Sequence, residues 1–182
     1  MLGTLSVIVA AGHETTVNLI VNAVRALCAN PGQLALVLAG THSWEDVVEE
    51  TLHWASPVNN FLFRYATEDI DVAGTLVRQG EPVLMAYGAM GHDPGQHGPD
   101  ADRFDLTRGT GRHLSFGHGP HICPGAQLAR LEARIALGAL FERFPALTLA
   151  VPEEELVPYP AIALNSLRSL PVRLWPRRAA QQ

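Results

Sequence analysis

The spacing of apolar residues changes along the chain, and each change predicts a different element. From Leu2 to Cys28, apolar residues occupy most faces of a helix, which is typical of a helix buried on several sides. An Asn-Pro-Gly sequence at 30–32 ends this pattern. A short second helix is predicted from Gln33 to Leu38.

A third helix is predicted to begin at a capping box. Ser43 and Asp46 have the spacing in which each side chain hydrogen-bonds to the backbone N–H of the other residue. The helix is expected to end by Ser56, because Pro57 disfavours a helical conformation in the residue before it. This helix carries three polar residues that return below: Glu49, Glu50 and His53.

The middle of the chain alternates in the manner of short β-strands. Gly-containing sequences at 73–74 and 79–81 separate the runs and favour tight turns. The predicted structure is a small antiparallel meander of four strands: Phe61–Ala66, Ile70–Val72, Thr75–Val77 and Pro82–Ala86.

Residues 87–122 show no sustained periodicity and are rich in Gly, Pro, His and Asp. A loop of this length inside a compact chain usually has a function. An amphipathic helix is predicted from about Gly125 to Phe144, followed by weakly alternating strands up to Trp175. The pattern predicts a mainly α fold with small antiparallel β-sheets (α+β), in a single domain.

Composition narrows the function classes. Of 182 residues, 47% are apolar and 17% are charged, whereas soluble domains carry about 25% charged residues. This imbalance predicts apolar surface that a partner covers. All 13 basic residues are Arg and the net charge is −5, so neither a nucleic-acid interface nor a basic membrane-binding face is expected.

The two cysteines and the apolar run near residue 1 bear on the cellular compartment of the protein. Cys28 and Cys123 are too far apart in sequence for a secreted disulfide framework, so a reducing, cytoplasmic setting is expected. The apolar run from Leu2 to Ala11 is too short to span a bilayer and has no flanking targeting features. Because no helix cap precedes this run, Met1 is an unusual place for a fold to begin.

The most specific motif delivers one cysteine to the start of a helix. Between Phe116 and Gly125 a glycine-rich turn leads to Cys123, where the positive end of the helix dipole stabilises a thiolate. Gly117, Gly119 and Gly125 permit tight turns and the close approach of a flat ligand. The plain alternative is a buried structural cysteine.

These residues resemble the haem-binding motif Phe-x-x-Gly-x-x-x-Cys-x-Gly of the cytochrome P450 family. The resemblance implies a haem-thiolate monooxygenase with haem b, in which Cys123 is the axial ligand that favours O–O cleavage. It also implies that the chain is the C-terminal haem-binding half of the P450 fold. The implied cofactor contacts in the loop include Phe116, Gly117 and Gly125.

A second segment, from Ala11 to Thr16, resembles the family's oxygen-activation motif. The resemblance implies that Thr15 bonds back to a backbone carbonyl, opens the helix locally and helps to deliver protons to dioxygen. Glu14 is the implied link to solvent, and Ala11 and Gly12 are implied haem neighbours. Without the cysteine motif, a chance polar patch on a helix is the better reading.

The main departure from the family lies at Glu50 and His53, where the family has Glu-x-x-Arg. His is shorter than Arg and titrates near neutrality, so the exchange is not conservative. We expect Glu50 to pair with Arg103 in the implied ion-pair network. The exchange predicts weaker anchoring of the meander and poor haem retention.

Other roles rest on the same resemblance. Arg64 and His121 match positions that contact haem propionates, and His113 is a further candidate. Pro124 has no N–H to donate to the sulfur, which predicts a lower iron reduction potential. A substrate-contacting segment is implied at Asn59, Asn60, Phe61 and Leu62, and a docking face at Arg112, Arg130 and Arg134, for which a solvated helix face is an equally good reading.

The implied reaction takes electrons from NAD(P)H through a ferredoxin or flavodoxin-type donor and hydroxylates a small apolar organic substrate. The implied segments are the oxygen-activation helix 1–29, helices 31–56, meander 60–86, cysteine loop 111–124, proximal helix 125–144 and strands 146–175. The missing N-terminal half would supply most of the substrate pocket.

Two alternatives stay open. One is a truncated, non-catalytic haem-binding remnant, or one half of a split protein. The other is a zinc module built from His113, His118, His121 and Cys123, although this spacing fits no standard zinc pattern and leaves the glycine turn unexplained.

Overall fold

The computed structural model describes residues 2–61, 63–109 and 113–174. The helices are α1 (Leu2–Ala29), α2 (Pro31–Leu38), α3 (Trp44–Trp54), α4 (Tyr87–Met90), α5 (Pro94–His97) and α6 (Ala126–Arg143). The strands are β1 (Phe63–Tyr65), β2 (Ile70–Val72), β3 (Thr75–Val77), β4 (Pro82–Leu84), β5 (Thr148–Leu149) and β6 (Val172–Arg173). This confirms the predicted fold class, mainly α with small antiparallel sheets.

The core forms where α1, α3 and α6 pack against one another. Trp44 at the start of α3 stacks on Phe141 of α6, with ring centroids 5.4 Å apart. Burial of these faces removes large apolar side chains from water and accounts for the association of the three helices. The fully buried members include Leu19, Leu27, Val47, Leu52, Leu137 and Phe141.

The two halves of α1 differ in exposure. The C-terminal half lies in the core, whereas Leu2, Ile8 and Val9 in the N-terminal half are 84%, 62% and 68% exposed. The segment Leu5–Ala29 is long and apolar enough, by length and composition alone, to cross a membrane, a test that core helices of soluble proteins also pass. This segment is longer than the apolar run at 2–11 that the sequence pattern indicates.

The start of α3 confirms the predicted capping box. Ser43 Oγ accepts a hydrogen bond from the Asp46 N–H at 3.1 Å, and Asp46 Oδ2 accepts one from the Ser43 N–H at 2.7 Å. The box fixes where α3 begins and therefore which of its residues face the core.

The strands form nested hairpins and not the predicted meander. β2 pairs with β3, while β4 turns back to pair with β1. Gly80, at a φ of 84°, donates its N–H to the Ala66 carbonyl at 2.8 Å. This contact returns the chain to the end of β1 and leaves β2 and β3 as a separate pair.

The long connection from 87 onward contains α4, α5 and 3-10 turns at Leu106–Arg108 and Gly119–His121. Up to residue 174, the weakly alternating tail forms one strand pair, β5 with β6. The connection therefore has local structure despite its lack of periodicity.

Candidate functional site

The cysteine loop presents an exposed, free thiol just before α6. Cys123 donates its backbone N–H to the Phe116 carbonyl at 2.8 Å, which closes the loop. Gly117 and Gly119 both have a φ of 74°, a conformation that other residues rarely adopt. Because Cys123 is exposed, the alternative of a buried structural cysteine is wrong.

Gly117 lies beside α4, and its positive φ, not a lack of space, favours glycine at this position. A Cβ at this position would lie 3.5 Å from the His121 carbonyl oxygen and 3.6 Å from the Tyr87 hydroxyl oxygen. These are ordinary van der Waals distances, so the loop lies against α4 without crowding at Gly117.

The polar segment of α1 keeps its helical form. Thr15 Oγ1 donates to the Ala11 carbonyl at 2.6 Å, which confirms the predicted hydrogen bond, and Thr16 Oγ1 donates to the Gly12 carbonyl at 2.8 Å. The predicted local opening is absent from the described part of α1, since the helix is continuous over Leu2–Ala29. Both hydrogen bonds are added to the helical ones without replacing them. Glu14 is exposed.

Glu50 is buried, and its arginine partner is not the predicted one. Its Oε1 lies 3.4 Å from Arg108 Nε and accepts the Asp105 N–H at 2.9 Å. Arg103 instead lies 3.6 Å from Asp100 in an exposed pair, so the predicted Glu50–Arg103 pair is wrong. Arg108 donates to the carbonyls of residues 100 and 103 at 2.7 Å each, which holds this segment so that Arg108 faces Glu50.

His53 is buried beside Glu50 without a hydrogen-bond partner on either ring nitrogen among the residues described. Its Nδ1 lies 3.5 Å from Glu50 Oε2, and its ring meets the ring of His97 edge-on at 4.5 Å. Desolvation lowers the pKa of His97, and the neighbouring His53 and Arg108 lower it further. Next to His53 lies a cavity of about 200 Å³, lined by His42, Asp46, Glu49, Glu50, His53, Leu106, Thr107 and Gly109.

Glu49 has a more complete set of partners. Its carboxylate accepts from Arg130 Nε at 2.6 Å, from the terminal nitrogen Arg130 Nη2 at 3.1 Å, and from His113 Nε2 at 3.1 Å. Burial raises the pKa of Glu49, but the hydrogen bonds from His113 and Arg130 outweigh burial and lower it to about 2. Sequence reasoning missed this role because Glu49 and Arg130 are 81 positions apart.

This arrangement changes two expectations. His113 Nδ1 accepts the Ser115 N–H at 3.2 Å while Nε2 donates to Glu49, so both ring nitrogens are used and the predicted propionate contact is wrong. Arg130 is held by Glu49 and does not stand free on a docking face. Arg134 is exposed, and Arg112 lies outside the described residues.

Two residues that were predicted to contact haem propionates, Arg64 and His121, are not bound to other described side chains. Arg64 is half-buried on β1 opposite Val83, and His121 is exposed in the 3-10 turn before Cys123. Within 2–61, 63–109 and 113–174, neither side chain hydrogen-bonds or forms an ion pair. Both are therefore free to bind an anionic group.

The segment after α3 is tied to the C-terminal tail. Asn59 donates its backbone N–H to the Ala163 carbonyl at 2.8 Å, and the Asn60 side chain donates to the Ile162 carbonyl at 3.0 Å. Phe61 is 50% exposed, and Leu62 lies outside the described residues.

The zinc alternative does not survive the structure. In the described part of the chain no three His, Cys, Asp or Glu side chains are grouped closely enough to hold a metal ion. His113 has also committed both ring nitrogens.

Comparison with known proteins identifies the family. Residues 44–166, which include α3, strands β1 to β5, the cysteine loop and α6, match the family model described as Cytochrome P450. The chain belongs to the cytochrome P450 family.

Sequence identity to individual proteins supports this family membership. The chain is 46% identical over 177 residues to the cytochrome P450 monooxygenase PikC of Streptomyces venezuelae, and this match covers 97% of the chain and 42% of PikC. It is 43% identical over 169 residues to the vitamin D(3) 25-hydroxylase of Pseudonocardia autotrophica, covering 93% of the chain and 42% of that protein. The chain thus spans about two fifths of the length of these relatives.

The fold is also that of solved cytochromes P450. CYP154C4 from Streptomyces sp. W2061 superimposes with a TM-score of 0.92 at 53% identity, covering 94% of the chain and 42% of that structure. Membership of the cytochrome P450 family implies a haem cofactor.

Proposed function

We propose that this chain forms the haem-binding part of a haem-thiolate monooxygenase, with Cys123 as the axial ligand of haem b. The observation that carries the proposal is the free, exposed Cys123 thiol, which a glycine loop presents just before the 18-residue helix α6. The N-terminal end of this helix carries partial positive charge that favours a thiolate.

The residues present fit such a group. A soft thiolate ligand suits haem iron, and Gly117, Gly119 and Gly125 leave room for a flat ligand beside the loop. Arg64 and His121 have no other partner among the described side chains and are suited to carboxylates such as the propionates. The Phe116 carbonyl accepts a hydrogen bond from the Cys123 N–H, which closes the loop around the thiol.

When bound, haem supplies the iron centre that activates dioxygen. Residues of α1 accept hydrogen bonds from water and exchange protons with solvent. Because Thr15 Oγ1 donates its proton to the Ala11 carbonyl, its lone pairs are left to accept hydrogen bonds from water. Exposed Glu14 exchanges protons with solvent, and Ala11 and Gly12 form the part of α1 that faces the cofactor.

The partners and location follow from this proposal. Electrons come from NAD(P)H through a ferredoxin or flavodoxin-type donor, for which Arg134 is an exposed contact on α6. The substrate is a small apolar organic molecule that is hydroxylated, and exposed Phe61 contributes to its binding. The net charge of −5 and the two free cysteines support a cytoplasmic location and argue against nucleic acid or a membrane as partner.

A test is the visible spectrum of the 182-residue chain, expressed with haem, reduced and treated with carbon monoxide. We expect the red-shifted band of haem-thiolate proteins, and its loss in Cys123→Ser. Cys28→Ser is the matched control, because Cys28 is half-buried and burial raises its pKa to about 11. A red-shifted band that survives Cys123→Ser, or its absence from the parent chain, would contradict the proposal.

The exposed apolar residues of α1 favour a second candidate, a non-catalytic haem-binding remnant or one half of a split protein. Leu2, Leu5, Ile8 and Val9 are each more than half exposed, an arrangement that favours a further protein segment packed on this face. The two candidates differ in product formation. A chain that shows the red-shifted band but does not couple electron supply to substrate oxidation would match the second candidate.

A further inference from the structure

One carboxylate reaches both ends of the cysteine loop. Glu49 on α3 binds His113, ten residues before Cys123, and Arg130, seven residues after it. His113 comes before the glycine turn and Arg130 lies in the second turn of α6, so the two contacts bracket the loop. We call Glu49, His113 and Arg130 the Glu49 clamp.

The clamp is connected to the cysteine through Phe116. The Arg130 guanidinium carbon lies 4.6 Å from the centre of the Phe116 ring, and the His113 ring lies 5.9 Å from it. The Phe116 carbonyl accepts the Cys123 N–H at 2.8 Å. Each step is a direct contact, so a shift of Arg130 or His113 moves the residue that holds the Cys123 backbone.

A further contact ties the same segment to α3. Ser115 donates its N–H to His113 Nδ1, and its hydroxyl donates to the Leu52 carbonyl. This ordering fixes the His113 tautomer: Nδ1 is the acceptor, so Nε2 carries the proton given to Glu49. Ser115 therefore helps to orient the imidazole in the clamp.

The Glu49 clamp differs from an ordinary surface ion pair. The side chains of Glu49, His113 and Arg130 are 21%, 6% and 27% exposed. The arginine uses two nitrogens on two carboxylate oxygens, a geometry that restrains direction as well as distance. Exposed single pairs seldom restrain a loop, whereas a partly buried fork joining three segments does.

We infer that Glu49 is a positioning residue for Cys123, which holds the cysteine loop against α3 and α6 and so determines where the sulfur lies. The inference rests on the proposed function only for the statement that this sulfur binds haem iron. The restraint on the loop is a property of the chain itself.

The first measurement needs no haem. Hydrogen–deuterium exchange of the 182-residue chain reports on the amides of Gly117 and Cys123, which donate to carbonyls within the loop. In Glu49→Gln we expect these amides to exchange about tenfold faster, while amides in the buried half of α1 keep their rate. Glu49→Gln preserves the shape of the side chain and removes the charge that Arg130 and His113 bind.

The second measurement uses the haem-loaded chain with carbon monoxide. Glu49→Gln is expected to move absorbance from the red-shifted band to the blue-shifted band, because the sulfur is no longer held in place. Glu142→Gln is the matched control, since it removes an exposed carboxylate near the end of α6 and leaves the Glu49 hydrogen bonds intact. Val47→Ala lowers overall stability from the core and is expected to leave the band ratio unchanged.

The outcomes separate the inference from the proposed function. Unchanged loop exchange and an unchanged band ratio in Glu49→Gln overturn the inference. If the parent chain lacks the red-shifted band but its loop exchange depends on Glu49, the proposed function fails and the positioning role stands. Should Glu49→Gln not fold, Arg130→Lys keeps the charge but loses the fork, and faster loop exchange is expected there too; unchanged exchange in that variant also overturns the inference.

Discussion

Glu49 and Glu50 are neighbours in α3, yet their carboxylates meet different surroundings. Glu49 is 21% exposed and binds the His113 imidazole from the cysteine loop and the Arg130 guanidinium from α6. Glu50 is 6% exposed and binds Arg108 from the segment after α5, while His53 beside it leaves both ring nitrogens without a hydrogen bond among the described residues. A single helical turn thus anchors two different segments, one with matched partners and one with an incomplete set.

The largest effect is expected from removing the buried carboxylate. Glu50→Ala leaves Arg108 without its anion and the Asp105 N–H without its acceptor, so we expect the free energy of unfolding to fall by about 3 to 5 kcal/mol. Chemical denaturation measures this. Asp100→Ala, which breaks the exposed Arg103 pair, is expected to cost less than about 0.5 kcal/mol. Equal losses would show that Arg103 matters as much as Arg108.

The second-largest effect is expected in how the free energy of unfolding changes at acidic pH. The pKa of Glu49 is lowered from 4.5 to about 2 in the folded chain, so its stabilisation is fully present above pH 4.5 and is lost as the pH falls through about 2. The contribution is at most about 3 kcal/mol. We expect the pH dependence of the unfolding free energy between pH 4.5 and 2 to be weaker in Glu49→Gln by this amount. An identical acid profile in the two chains would contradict the assignment.

A smaller effect on stability and haem occupancy is expected from giving Glu50 a second cationic partner at position 53. His53→Arg places a permanent cation beside Glu50 and the cavity of about 200 Å³, and is expected to stabilise the chain by about 1 kcal/mol and to raise haem occupancy. Thermal melting and the ratio of haem to protein absorbance measure these changes. His53→Leu, which removes the ring nitrogens without adding charge, separates relief of the unpaired imidazole from gain of a cation. Unchanged occupancy and melting temperature in His53→Arg would show that the His exchange costs nothing.

The smallest effect is expected on the iron reduction potential, through a hydrogen bond to the Cys123 sulfur. Pro124→Leu restores a backbone N–H next to Cys123, and a hydrogen bond of about 1 kcal/mol to the sulfur corresponds to a rise of about 40 mV in the iron reduction potential. Spectroelectrochemical titration of the haem-loaded chain measures the potential. A fall, or no change, would contradict the argument.

The elements that could be predicted from sequence are those set by local interactions. Helix α1, the Ser43–Asp46 capping box and the glycine turn before Cys123 depend on residues a few positions apart. The cysteine motif was also specific enough to indicate the family, which the match over residues 44–166 confirms.

The remaining features depend on contacts that spacing does not reveal. Arg103 and Arg108 are equally plausible partners for Glu50 in the sequence, and only the hydrogen bonds of the Asp100–Arg108 segment select Arg108. The pairing of β1 with β4 depends on the contact between Gly80 and Ala66. The Glu49 clamp joins residues 64 and 81 positions apart, so it required the packing of α3 on α6.

The central claim is that Cys123 supplies the sulfur that binds haem iron. Iron K-edge X-ray absorption of the ferric, haem-loaded chain measures the atoms bound to the iron directly. We predict one sulfur ligand in the parent chain and in Cys28→Ser, and none in Cys123→Ser. A sulfur ligand that persists in Cys123→Ser, or an iron centre without sulfur in the parent chain, would contradict the account.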